Sequence, residues 1–215
     1  MARPPRIAVV DYGAGNLRSV ARALVRSGLE PEVTGDPAAL RVAEGVVLPG
    51  VGAFAAAVAS LREKGLDDAI RECLEAERPY LGICLGLQVL FEEGDEHGLH
   101  AGLGLLPGRV ERFPERDATG ALLRVPHIGW NQVRFAGRHP MLEALPEEDV
   151  FYFVHAYRAV PSGSAATTGI TDYGGEFASA VATERLFAVQ FHPEKSQAAG
   201  RRLLDAFAGW VAACR

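Results

Sequence analysis

The strongest constraint on the fold is a repeated unit, a short apolar run followed within a few residues by helical spacing. Arg6–Asp11, Glu32–Thr34, Gly45–Leu48 and Tyr80–Ile83 read as strands. Among the segments between them, Leu17–Ser27 sets Leu17, Val20, Ala21 and Leu24 at helical spacing before Gly28, a residue suited to ending a helix. Phe54–Glu63 and Leu66–Glu77 also read as helices, the second with Leu66, Ala69, Ile70, Cys73 and Leu74 in one stripe. The fourth strand runs straight into a helical pattern over Leu85–Glu92. Strands alternating with helices predict a parallel sheet covered on both faces. Past Gly94, seven segments read as strands with few helices between them: Gly108–Phe113, Leu122–Val125, Ile128–Phe135, Val150–Val160, Thr167–Thr171, Glu176–Thr183 and Leu186–Phe191. They are expected to extend the sheet and add an antiparallel layer. A helix over Gln197–Ala212 closes the chain. No linker-like stretch separates the halves, so residues 1–215 are expected to form one α/β domain.

Composition removes several function classes. Of 215 residues, 48% are hydrophobic and 23% charged, and the net charge is −5. That balance is that of a globular chain with a substantial core, and an acidic surplus does not suit a phosphate-backbone binder. The longest uncharged run, between Glu44 and Arg62, is broken by Pro49 and three glycines and is short for a membrane span. The run Ile7–Val10 is too short for a signal-peptide core. Three cysteines, Cys73, Cys84 and Cys214, are odd in number and lack metal-ligand spacing. A reducing cytoplasm, no cofactor and no metal are therefore expected.

The chemistry-bearing segments sit at predicted strand ends. In Gly82-Ile83-Cys84-Leu85-Gly86 a cysteine stands between glycines at a strand-to-helix junction, the cysteine counterpart of a nucleophile elbow. A small buried structural cysteine is the alternative reading of this pentapeptide alone. His192-Pro193-Glu194 follows another apolar strand; residues two apart in an extended segment point the same way, so Glu194 can orient the His192 ring as base. His155 is the rival base, but it lacks a carboxylate at that spacing and reads better as a structural or pocket residue. The loop Pro49-Gly50-Val51-Gly52 lets main-chain N–H groups approach a ligand, so Val51 or Gly52 together with Leu85 can supply oxyanion donors. A cysteine peptidase on a similar fold remains open at this point. So does a nucleotide-binding module, from Gly13-Ala14-Gly15, although Arg18 stands where the dinucleotide fingerprint needs Gly or Ala.

Taken together, Pro49-Gly50-Val51-Gly52, Gly82-x-Cys84-x-Gly86-x-Gln88 and His192-Pro193-Glu194 resemble the class I, triad-type glutamine amidotransferases. Asp11-Tyr12-Gly13-x-Gly15-Asn16, Pro126-His127-Ile128-Gly129-Trp130-Asn131, Tyr152-Phe153-Val154-His155-x-Tyr157 and His192-Pro193-Glu194-Lys195-Ser196 extend the resemblance over nearly the whole chain. The resemblance implies a flavodoxin-like, three-layer fold with a mostly parallel central sheet flanked by helices and added antiparallel strands. It implies hydrolysis of the L-glutamine side-chain amide, with Cys84 as nucleophile, His192 as acid and base, and Glu194 holding His192. Gly52, Gln88, Glu96, Ala156 and Tyr157 are implied as the glutamine site. The Gly-Val-Gly loop is similar to one branch of the family, whose ammonia passes to a separate (β/α)8-barrel cyclase in a heterodimer. Asn16, Trp130, Asn131, Tyr152 and Lys195 are implied to face that partner.

Overall fold

The computed structural model describes residues 3–163 and 166–215. Its first half alternates strands β1 (Arg6–Val10), β2 (Glu30–Thr34), β3 (Gly45–Gly50) and β4 (Tyr80–Cys84) with helices α1 (Leu17–Arg26), α2 (Pro37–Val42), α3 (Phe54–Glu63) and α4 (Leu66–Glu75). A single helical turn, α5 (Leu85–Gln88), follows β4, and then come β5 (Phe91–Asp95), β6 (Leu99–Ala101) and β7 (Leu106–Arg112). The second half contains β8 (His127–Phe135), α6 (Pro140–Glu143), β9 (Glu148–His155), β10 (Tyr157–Pro161), β11 (Ala166–Asp172), β12 (Glu176–Thr183) and β13 (Leu186–Val189). A short 3-10 turn, Pro193–Lys195, leads into α7 (Gln197–Ala213).

All these strands join one sheet with the path β2-β1-β3-β4-β13-β12-β10-β7-β5-β6. The first five are mutually parallel, as the alternating pattern predicts, and their order is doubly wound. From β12 onward the pairing is largely antiparallel, and β11, β8 and β9 branch off as a ribbon.

Apart from the edge strand β2, the parallel strands are buried on both faces, and their period of two divides one core into two. In β1, Ala8 and Val10 pack with Val46 and Leu48 of β3 and with Leu61, Leu66 and Ile70 of α3 and α4. Ile7 and Val9 face the opposite side, with Val47, Leu81 and Phe187 and with Leu24, Leu203 and Phe207 of α1 and α7. This is the three-layer arrangement that near-continuous apolar strands require.

Three expectations from the pattern fail locally. Leu85–Glu92 is one helical turn and then a strand. Leu87, Val89, Leu90 and Phe91 are all buried, and an apolar run buried on every side carries no helical period. Pairing of β5 with β7 and β6 decides the outcome. Val150–Val160 splits at Ala156, where the chain leaves β8 and joins β7 and β12. Leu122–Val125 is not a strand; within it only Leu122 bridges, to Arg116. The short helices α2 and α6 were not anticipated.

Among the described residues, no helix is long and apolar enough to cross a membrane. Phe187 in β13 is fully buried between the central sheet and α7, 5.1 Å from the His139 ring. Phe187→Ala is expected to lower unfolding stability by about 3–5 kcal/mol, read as a shift of the urea midpoint at unchanged slope; a shift below the error of that measurement would refute this account of the core.

Candidate active site

Strand register assembles the site. Gly50 of β3 lies opposite Cys84 of β4, and Ile83 lies opposite Val189 of β13. The glycine loop, the cysteine and the segment Gln190–Glu194 therefore leave neighbouring parallel strands at their carboxyl ends, where open α/β sheets place ligands.

Cys84 has φ +56° and ψ −108°, a left-handed conformation that non-glycine residues rarely adopt. Such a position costs on the order of 1–3 kcal/mol unless its surroundings enforce it. They do so through two glycines. A Cβ on Gly82 would lie 2.6 Å from the Gly86 carbonyl oxygen, and one on Gly86 only 1.8 Å from that of Leu48. The glycines of the sequence motif are thus required by backbone contact, as the elbow reading supposed. The helix after Cys84 is only four residues long, so it brings no long helix dipole to the sulfur. In the adjoining loop a Cβ on Gly50 would lie 2.6 Å from the Tyr12 hydroxyl and 2.8 Å from Leu85 Cβ, whereas one on Gly52, at φ +103°, would meet open space. Burial pushes the Tyr12 phenol up to about 12, so it stands as a neutral group under the loop.

His192 is held by its backbone and its ring. Its N–H donates to the Tyr152 carbonyl at 2.9 Å, and its own carbonyl accepts from Ser196 Oγ at 2.6 Å. Ser196 Oγ also accepts from the Tyr152 N–H, tying the three together. The ring Nδ1 donates to Glu194 Oε1 at 2.9 Å, with both side chains buried. The ring Nε2 is buried and has no hydrogen-bond partner among the described residues. Burial alone would make the imidazole a weaker base, but Cys84 and the Glu194 carboxylate outweigh it and bring the His192 pKa to about 9.

His155 behaves oppositely. Burial lowers it to about 3 against the hydrogen bond to the Tyr157 carbonyl, and both ring nitrogens are engaged, by His127 and by that carbonyl. It is a neutral wall residue rather than a base.

A cleft of about 320 Å³ opens at Cys84. Val51, Gly52, Leu85, Gln88, Glu96, Ala156 and Tyr157 all line it. Pro126, Val154 and His155 complete the lining. Gln88 is buried and donates to the Tyr157 carbonyl at 3.1 Å and to Gln190 Oε1 at 2.9 Å, so both amide hydrogens are engaged and its own oxygen is left over. Glu96, which sequence places in a solvated-looking acidic run, turns inward and accepts from the Phe54 N–H. Gln190 was missed by the sequence reading. It is completely buried, and its Nε2 donates to Cys84 Sγ at 3.5 Å; a lone polar residue inside the apolar run Leu186–Phe191 was the available signal. Among the described residues, no three His, Cys, Asp or Glu side chains gather to hold a metal ion.

The residues implied for a partner surface separate into two groups. Trp130 is half exposed, edge-on to Tyr152, and Lys195 Nζ lies 5.7 Å from the Tyr152 ring. Asn16 is exposed at the start of α1. Asn131 points inward instead, donating to the Asp172 carbonyl and lying 3.3 Å from His127 Nε2.

A strained cysteine elbow, a carboxylate-paired histidine and a glycine loop thus meet at the ends of adjacent parallel strands, the parts of a nucleophilic-cysteine site. Residues 8–208 match the family described as Glutamine amidotransferase class-I, and the chain belongs to that family. The chain is 52% identical over 201 residues to imidazole glycerol phosphate synthase subunit HisH of Moorella thermoacetica, covering 94% of this chain and 93% of that protein. The subunit of the same description from Methylococcus capsulatus is 49% identical over 209 residues, covering 95% and 96%. Among solved structures, PurLQS from Thermotoga maritima superposes with a TM-score of 0.77 at 21% identity over 96% of this chain and 99% of that one. A structure described as a glutamine amidotransferase gives 0.73 at 22%, over 96% and 98%. At those identities the structural likeness concerns the fold alone.

The raised His192 pKa has a defined sign. Its charge-pairing stabilises the folded state fully below about 6.5 and is lost as pH rises through about 9. In an NMR titration His192 is expected to titrate near pH 9, and Glu194→Gln to move that midpoint downward. A midpoint unchanged by the substitution would show that Glu194 does not hold the imidazolium.

Proposed function

We propose that this chain hydrolyses L-glutamine to glutamate and ammonia and delivers the ammonia to a (β/α)8-barrel cyclase, as the glutaminase subunit of an imidazole glycerol phosphate synthase in histidine biosynthesis. Residues 1–215 act as a single amidotransferase domain in the cytoplasm, in a heterodimer with the cyclase. The observation that carries the reading is the pairing of a strained Cys84 with a His192–Glu194 couple across neighbouring strands, beside a cleft of amino-acid size. Near-50% identity over almost the full length to subunits of that synthase supports the choice of pathway and partner.

In this reading Cys84 Sγ attacks the carboxamide carbon of glutamine. The Leu85 N–H, with that of Val51 or Gly52, receives the developing oxyanion. The His192 imidazolium, maintained at neutral pH by Glu194, protonates the departing ammonia. The neutral imidazole then takes a proton from water, which attacks the thioester and releases glutamate, and the proton returns the pair to its starting state. Gln88, with only its oxygen unengaged, suits a donor group of the substrate, and Glu96 suits the α-ammonium. Ala156 has no side-chain hydrogen-bonding group, so there the main chain makes the contact, beside Tyr157 and Gly52.

The partner surface is the outer face of the β8–β9 ribbon. Ile128, Trp130 and Val150 are 60%, 50% and 44% exposed, an apolar face with Tyr152 beside it and Lys195 at its rim.

Glutamate production by the purified chain is expected to be low alone and to rise sharply with the cyclase and its phosphoribulosyl precursor. Cys84→Ala should assemble normally yet lose at least about a thousandfold in turnover; retained hydrolysis would remove Cys84 as nucleophile. Trp130→Ala should weaken association by about 2 kcal/mol, measured by calorimetry, and unchanged affinity would displace the interface from this face.

A further inference from the structure

The buried polar groups behind the cleft form one continuous hydrogen-bonded chain, and its directions follow from the two main-chain carbonyls that anchor it. A carbonyl only accepts. Asn131 Nδ2 lies 2.9 Å from the Asp172 carbonyl, so the amide nitrogen is the atom there, and its second hydrogen faces His127 Nε2 at 3.3 Å. That ring nitrogen accepts, so in a neutral ring the proton of His127 sits on Nδ1, 3.0 Å from His155 Nε2. His155 Nε2 accepts in turn, and its proton sits on Nδ1, which donates to the Tyr157 carbonyl at 2.8 Å. The two ends agree only if both rings are neutral Nδ1–H tautomers.

The Tyr157 carbonyl accepts a second bond, from Gln88 Nε2 at 3.1 Å, which fixes the orientation of that amide. Gln190 must then turn its oxygen to Gln88, at 2.9 Å, and its nitrogen to Cys84 Sγ, at 3.5 Å. Gln190 is fully buried and its amide has this single arrangement. The rings themselves are clamped: His127 stacks 3.9 Å from the Tyr173 ring centroid and 4.8 Å from that of Phe153, and Phe113 lies 5.1 Å from His155.

We propose that Gln190, His155 and His127 are positioning residues, joined through Gln88 and the Tyr157 carbonyl into one chain that aims an N–H donor at the Cys84 sulfur and ties the nucleophile to the β8–β9 ribbon. The assignment of Gln88 to the glutamine site rests on the amidotransferase reading; the chain and its tautomers do not. A donor aimed at the sulfur holds it in one orientation at the edge of the cleft. Because β8 also carries Trp130 on its opposite face, a displacement of that strand by a docked partner has a bonded route to Cys84.

The test uses the full chain labelled with nitrogen-15 in histidine. At neutral pH, His127 and His155 should each show a protonated Nδ1 and an unprotonated Nε2. A proton on Nε2 of either ring, in a neutral or a charged form, would overturn the chain. Asn131→Asp replaces the donor with a carboxylate and should place a proton on His127 Nε2; an unaltered His127 spectrum would remove Asn131 from the chain. Gln190→Met keeps the volume and loses the donor. Alkylation of Cys84 by iodoacetamide, followed by mass spectrometry of its peptide, should slow by about tenfold, the scale of one hydrogen bond. An unchanged rate in a folded variant would deny Gln190 its role. If wild type shows the tautomers and the alkylation contrast but no glutamine turnover, the amidotransferase reading fails and the chain stands.

Discussion

The contact on which the rest of the site depends is the approach of Gly86 to the Leu48 carbonyl of the neighbouring strand. With a Cβ at 1.8 Å from that oxygen excluded, the turn after β4 closes tightly enough to force Cys84 into a left-handed conformation. The sulfur is thereby held at the carboxyl edge of the sheet, beside Gly50 on one side and the extension of β13 on the other. The strain is sustained because Leu85, Leu87 and the central strands bury enough apolar surface around the turn to fix it. The parallel register then brings the remaining parts in without further devices.

Histidine serves two opposite purposes around one cysteine, and its partners decide which. His192 faces a buried carboxylate and a cysteine, and is charged at neutral pH. His127 and His155 are also buried but face each other, aromatic rings and a carbonyl, so desolvation outweighs the one opposing hydrogen bond, from His155 to Tyr157, and both are neutral. A neutral His155 beside a charged His192 also avoids placing two cations side by side in one buried wall. The same wall can therefore be rigid and hydrogen-bonded on one side and reactive on the other.

How much was legible in the sequence varied with the kind of constraint. Gly82, Cys84 and Gly86, and the pair His192 and Glu194, were readable because each motif is local: neighbours along the chain are neighbours in space. The parallel half was readable because strands buried on both faces leave continuous apolar runs between helical stripes. Leu85–Glu92 was misread because residues buried on every side erase the helical period. Trp130 and Asn131 were both implied to face a partner, yet successive residues of a strand face opposite sides, and of the two only Trp130 looks out. Gln190 stood in plain view as one polar residue in an apolar strand, but what it touches depends on Cys84, 106 positions earlier.

The sequence by itself determined the doubly wound half, the elbow with its obligatory glycines and the acid–base couple, since short-range sterics and periodicity act within a few residues. Tertiary structure decided which N–H meets the sulfur, which histidine carries charge and which face of the β8–β9 ribbon is open. Those outcomes depend on burial and on partners brought together from distant strands, and burial has no signature in any one segment.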